Sequence, residues 1–206
     1  MRRILLFTIL VSVFTKLNAQ SCCSGGVPVS SNLGLPATEK GALQFNLSYD
    51  FNTLQTLQSG TERLEDDSRN RTTHSVIVET GYAFSDKFSV DALLSFVQQD
   101  REITQFGNIG LTSTRGLGDA VLLFKYRLYN NSDFSTTWTF GAGPKIPFGA
   151  SDLLDDRGIQ LNADLQPGSG AWDGIAWTQF SRSLNIRPSL SFIATGVYSY
   201  KGVNDN

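Results

Sequence analysis

Cysteine, histidine and methionine are nearly missing from this chain: two, one and one among 206 residues. The cysteines are neighbours, Cys22-Cys23, and a bridge between neighbours is a strained ring, so no disulfide framework holds the fold. As a metal pair they have no further Cys or His nearby to complete a ligand set, and no metal is expected. A lipid anchor on Cys22 is disfavoured because Ala19-Gln20-Ser21 lacks the usual aliphatic residue three places upstream. Charge of one sign is also lacking. Lys and Arg number 17 against 19 Asp and Glu, a net charge of -2. With no basic cluster, there is no electrostatic footprint for nucleic acid.

Past the N-terminus no apolar run approaches the ~18 residues a helical membrane span needs. The mean hydropathy of -0.13 is too polar for a bundle of such helices. The single histidine, His74, adjoins Ser75, but successive strand residues point to opposite faces. No nucleophile, base and orienting acid are brought together, so neither an enzyme nor a cofactor is expected, and His74 reads as an interfacial surface residue. Gly116-x-Gly118 and Gly141-x-Gly143 open no helix and so are not nucleotide loops. Within strands they suit bends or a close backbone approach. The acidic stretch carrying Asp152, Asp155, Asp156 and Asp164 lacks the spacing of an EF-hand loop and reads as solvated.

What is present begins with Arg2-Arg3, an apolar stretch from Ile4 to Phe14, and Leu17-Asn18-Ala19. This is the pattern of a secretory signal peptide over 1–19, cleaved after Ala19. Residues 20–40, rich in Gly, Ser and Pro, read as a flexible exported tail, and 41–206 as a single β-domain.

That domain is written in two-residue alternation. In Leu43-Gln44-Phe45-Asn46-Leu47-Ser48-Tyr49-Asp50-Phe51 every odd position is apolar and every even one polar, giving a strand with one apolar and one wet face. Further strands are predicted over 74–84, 88–99, 117–129, 134–148, 171–182 and 188–201. Val76, Val78, Tyr82 and Phe84 oppose Glu79. Phe88, Val90, Ala92, Leu94 and Phe96 oppose Asp91 and Ser95, and Leu122, Phe124, Tyr126 and Leu128 oppose Asp119, Lys125 and Arg127. Trp138, Phe140 and Ala142 oppose Lys145. Trp172 and Trp177 differ in parity and cannot share a face without a bulge, which leaves the faces of their strand unassigned.

The connections alternate: long at 53–73, 100–116 and 149–170, short at 85–87, 130–133 and 183–187. Strands of this length, aromatics near their ends and alternating connections match an antiparallel up-and-down transmembrane β-barrel with short periplasmic turns and long external loops. About seven strands are predicted, whereas bacterial single-chain barrels have even numbers. With Gly202 to Asn206 reading as the start of another loop, the expectation is an incomplete, N-terminal portion of a barrel.

Gly116-Leu117-Gly118-Asp119-Ala120 running into Lys125-Tyr126-Arg127, then Gly141-Ala142-Gly143-Pro144-Lys145-Ile146-Pro147-Phe148-Gly149, and finally Leu165-Gln166-Pro167-Gly168-Ser169-Gly170-Ala171-Trp172-Asp173, together resemble the outer-membrane family named for the meta-pathway of phenol degradation. The match covers about residues 40–200. The resemblance implies a porin-like outer-membrane barrel admitting small, often aromatic or hydrophobic solutes, with no defined substrate.

The expected function is passive diffusion through a polar lumen, with long external loops as gates. Asp50, Glu79, Asp91, Asp119, Lys125, Arg127 and Lys145 are the candidate lumen-lining residues, where fixed charge sets selectivity. The competing reading is that these groups pair to fill a narrow lumen. Expected partners are outer-membrane lipid and small solutes. A structural or adhesion barrel, and a soluble exported β-barrel binding protein, are the alternatives.

Overall fold

A computed structural model describes residues 39–204 except 56, 60, 61, 65–67, 132–134 and 185–189. The expected signal peptide and nearly all of the expected tail, with Cys22 and Cys23, lie outside the described residues.

Alternation becomes strand throughout. The strands are β1 (Leu43–Leu54), β2 (Leu57–Ser59), β3 (Glu62–Leu64), β4 (Arg69–Ala83), β5 (Phe88–Gln105), β6 (Asn108–Leu117), β7 (Ala120–Asn130), β8 (Thr136–Ile146), β9 (Asp173–Ser183) and β10 (Ser191–Tyr200). One antiparallel sheet runs β1-β4-β5-β7-β8-β9-β10, with β6 paired to β5 beside that path and β2-β3 forming a separate small ribbon. The sheet is curled into a half-barrel of up-and-down order. Among the described residues β1 pairs only with β4, and β10 only with β9.

Two connections differ from the sequence reading. Residues 100–116 are not a loop: β5 continues to Gln105 and β6 returns along it in register from Gln105↔Asn108 to Phe96↔Leu117. Phe106 and Gly107 at the tip both have positive φ, the backbone of a two-residue type I′ turn. Within 53–73, β2, β3 and the first residues of β4 replace much of the expected loop. The predicted starts of the strands at 134 and 188 lie outside the described residues.

The pairing of β5 then passes from Phe96↔Leu117 to Leu93↔Val121. Three steps on β5 match four on the other side, so a bulge sits at Gly118-Asp119. Thr114 is buried on β6, whereas Val121, Leu123 and Lys125 are buried on β7. The extra residue therefore switches the buried positions from even to odd, and Asp119 turns inward with them.

One row of paired residues crosses the whole sheet: Leu43↔Tyr82, Tyr82↔Val90, Val90↔Phe124, Phe124↔Ala142, Ala142↔Ala176 and Ala176↔Tyr198. Every member is apolar or aromatic, and the large ones are exposed. The predicted outward faces of β1, β4, β5, β7 and β8 are the exposed convex face of the sheet. The concave face instead carries a cluster of Ile77, Leu93, Val121, Leu123, Ile175 and Trp177.

Candidate functional site

The concave face holds the ionisable groups singled out by alternation. Glu79, Asp91, Asp119, Lys125, Arg127 and Lys145 are all buried there. Asp50 is the exception: it lies on β1, pairs with Ser75 across the ladder and is exposed. A strand with a neighbour on one side only leaves its side chains open to solvent, so Asp50 takes no part in the buried clusters.

The first cluster lies toward the short-turn end. The Lys125 ammonium donates to the Asp91 carboxylate in a pair that is buried on both sides. The same ammonium stands 4.6 Å from the Trp177 ring centre, a cation–π contact strengthened by exclusion of water. Across the ladder Lys125 faces Gly141, which in turn faces Trp177. A side chain at Gly141 would press on Lys125 and Leu123, so the glycine makes room for lysine and indole to meet. Trp177 is 1% exposed and Trp172 is 62% exposed. They do not share a face, as their parity required.

The second cluster lies toward the long-loop end. Asp119, fully buried, accepts from Lys145 Nζ at 2.9 Å, Ser169 Oγ at 2.6 Å, Ser169 N at 3.0 Å and Gly149 N at 3.3 Å. Lys145 also reaches Asp173 at 2.8 Å, and Asp173 is bridged further to Lys201 at 3.0 Å. The Lys145 ammonium thus lies between two carboxylates, and Asp119 is surrounded by four donors. Asp173, Ser169 and Lys201 were not among the sequence candidates.

A third set of polar groups lines β5. Ser89 Oγ, Ser95 Oγ, both amide atoms of Gln99 and Arg101 Nε are buried without a protein hydrogen-bond partner. All lie on the odd-numbered side of β5.

The connection from β8 to β9 is not simply solvated. Asp152, Asp156 and the segment from Arg157 to Gln160 are exposed, but Leu165, Gln166, Pro167 and Gly168 are buried. Thr114 Oγ1 on β6 donates to Leu165 O at 2.7 Å, and Arg71 on β4 pairs with Asp164 at 2.9 Å. The chain thus folds back over the concave face. Asp155 Oδ1 accepts from the backbone of Arg157 and Ile159, which makes it a turn residue.

Of the glycines flagged by sequence, Gly118 faces the Ser95 hydroxyl and Gly143 the Leu122 carbonyl, each too closely for a side chain. His74 Nδ1 is hydrogen-bonded to Tyr49 Oη at 2.6 Å and packs against Phe51, beside the outer aromatic side chains. Compared with known proteins, the chain matches no protein-family model and no curated protein.

Proposed function

We propose that this protein is exported to the outer membrane and forms the wall of a porin-like barrel that passes small solutes by passive, non-catalytic diffusion. The observation that carries the reading is the inversion of the sheet, with large apolar side chains on the convex face and ion pairs on the concave one. A water-soluble barrel turns its apolar face inward. On β5 the outer apolar band runs from Phe88 to Phe96, about 27 Å along the strand at ~3.4 Å per residue. At the usual tilt of about 40° that is roughly 20 Å of height, close to the ~25 Å band of outer-membrane barrels. Tyr82, Phe84 and Phe88 form a chain of ring contacts at one rim, and Tyr49 and Phe51 lie toward the other, as interfacial girdles do.

The resemblance to the phenol meta-pathway family supports the same reading and suggests aromatic or hydrophobic solutes. In lipid the edges that β1 and β10 leave unpaired among the described residues must be covered, because unpaired backbone groups cannot face hydrocarbon.

A specific observation favours a second reading, a structural or adhesion barrel. The concave charges are mutually paired, and an apolar cluster crosses the concave face at mid-height. Two measurements separate the possibilities. Heat-modifiable migration with outer-membrane fractionation supports a membrane barrel, and a soluble periplasmic protein sinks it. Stepwise conductance in planar bilayers supports the channel, with ion selectivity altered by Lys125→Ala and Arg127→Ala. A membrane-inserted protein that conducts nothing supports the structural barrel.

A further inference from the structure

We propose that the β8–β9 connection, residues 149–171, is a fixed constriction seated in the concave space and latched there by Asp119. The proposal rests on the channel reading above and says which residues narrow the passage.

The segment starts and ends on adjacent strands, so it could have looped freely away from the sheet. Instead it is tied to β4, to β6 and to the bulge between β6 and β7. Asp119, in the bulge between β6 and β7, takes Ser169 by both hydroxyl and backbone N–H and takes Gly149 at the other end of the same segment. One buried carboxylate therefore pins both feet of the loop. Thr114 on β6 holds Leu165, and Arg71 on β4 holds Asp164.

The segment is also braced within itself. The Gln166 amide donates to the carbonyls of Leu153 and Leu161, each at 3.1 Å, and accepts from Leu153 N at 3.0 Å. These bonds hold a buried Gln166 in the middle of the loop. At the base, Gly149 and Gly168 cross backbone to backbone. A Cβ on Gly168 would stand 2.4 Å from the Gly149 carbonyl oxygen, and the Pro167 ring lies over Gly116. Such contacts fit one seated position and oppose a waving lid. Leu165 is fully buried in that position, while Ile159 at the outer part of the same loop is exposed.

The test uses the full chain in outer-membrane vesicles, with Cys22→Ser and Cys23→Ser as background and heat-modifiable migration as a check on folding. A membrane-impermeant maleimide is applied to Leu165→Cys and, as reference, to Ile159→Cys. Leu165→Cys is expected to react at least tenfold more slowly. Adding Asp119→Asn, or the milder Ser169→Ala that keeps the Lys145 pair, is expected to bring it toward the reference rate. The same latch variants are expected to raise single-channel conductance severalfold. Labelling of Leu165→Cys as fast as Ile159→Cys overturns the seated loop. A protected site released by the latch variants with unchanged conductance overturns the constriction. No conductance from any variant, with labelling as expected, overturns the channel reading and the constriction with it, and leaves the latch standing.

Discussion

Lys125 is the residue on which most of the concave face depends, since it neutralises Asp91 and lies against Trp177. Replacing it by methionine keeps the bulk but leaves a buried carboxylate beside Glu79. Removing one partner of such a pair costs about 3–5 kcal/mol, so Lys125→Met is expected to lower the urea midpoint of the heat-modifiable form. Adding Asp91→Asn is expected to recover part of the loss. Gly143 is a second sensitive position. A Cβ there would stand 1.8 Å from the Leu122 carbonyl oxygen, so Gly143→Ala must push β7 and β8 apart. Overpacking of this kind costs about 1–3 kcal/mol, measurable by the same titration. Alternation was enough to put Glu79, Asp91, Lys125 and Lys145 on one face. It could not pair them, because which carboxylate meets which lysine depends on strand register. Asp173 and Trp177 escaped for a different reason. At the start of β9 the outer residues are the small Gly174 and Ala176 and the buried ones are Asp173, Ile175 and Trp177. Over 173–177 the hydrophobic alternation is therefore inverted relative to the other strands.

At the scale of elements, the arm formed by β5 and β6 is the largest departure from the sequence reading. Over 98–105 and 108–115 apolar residues are few (Ile103, Ile109 and Leu111) and most positions are polar, so no sustained alternation marks a strand. Backbone pairing carries the ribbon past the apolar band, with Gln99 and Thr114 buried on its inner side and Thr114 bonded to the β8–β9 connection. Its tip holds Phe106 at φ 50, fully exposed. A left-handed conformation costs a non-glycine residue roughly 1–2 kcal/mol, and asparagine tolerates it better. Phe106→Asn is therefore expected to stabilise the arm by up to about 1 kcal/mol, seen as slower amide exchange at Gln105 and Asn108. If exchange there speeds up, the phenyl ring makes a contact that the turn geometry alone does not explain. The β8–β9 connection is the long loop that the sequence predicts, but only its outer part is solvated. Its exposed aspartates dominate the sequence, while the short island Leu165-Gln166-Pro167-Gly168 that folds inward is too brief for any periodicity to reveal.

For the whole molecule the sign of the environment is the main question, and one substitution reads it. Phe124 sits in the outer row that crosses all the paired strands of the main path. In a bilayer Phe124→Arg is expected to cost about 2–4 kcal/mol near the midplane. On a water-facing surface the same change would stay within about 0.5 kcal/mol. Reversible unfolding from vesicles distinguishes the two. The architecture was legible in the sequence because each strand presents one side to a uniform medium and so repeats one simple rule. The concave space was less legible because its contents come from many strands at once. This difference bears on the order of assembly. In the main path, neighbours in the sheet are neighbours in the chain apart from the small ribbon and the β6 arm, so the wall can zip up hairpin by hairpin with little loop-closure entropy at each step. The Arg71–Asp164 pair joins residues 93 apart in sequence and has nothing to close on until β4 through β9 stand side by side. Seating of the inner loop is thus expected to follow pairing of the strands it contacts, which would leave the interior of the nascent wall open until then.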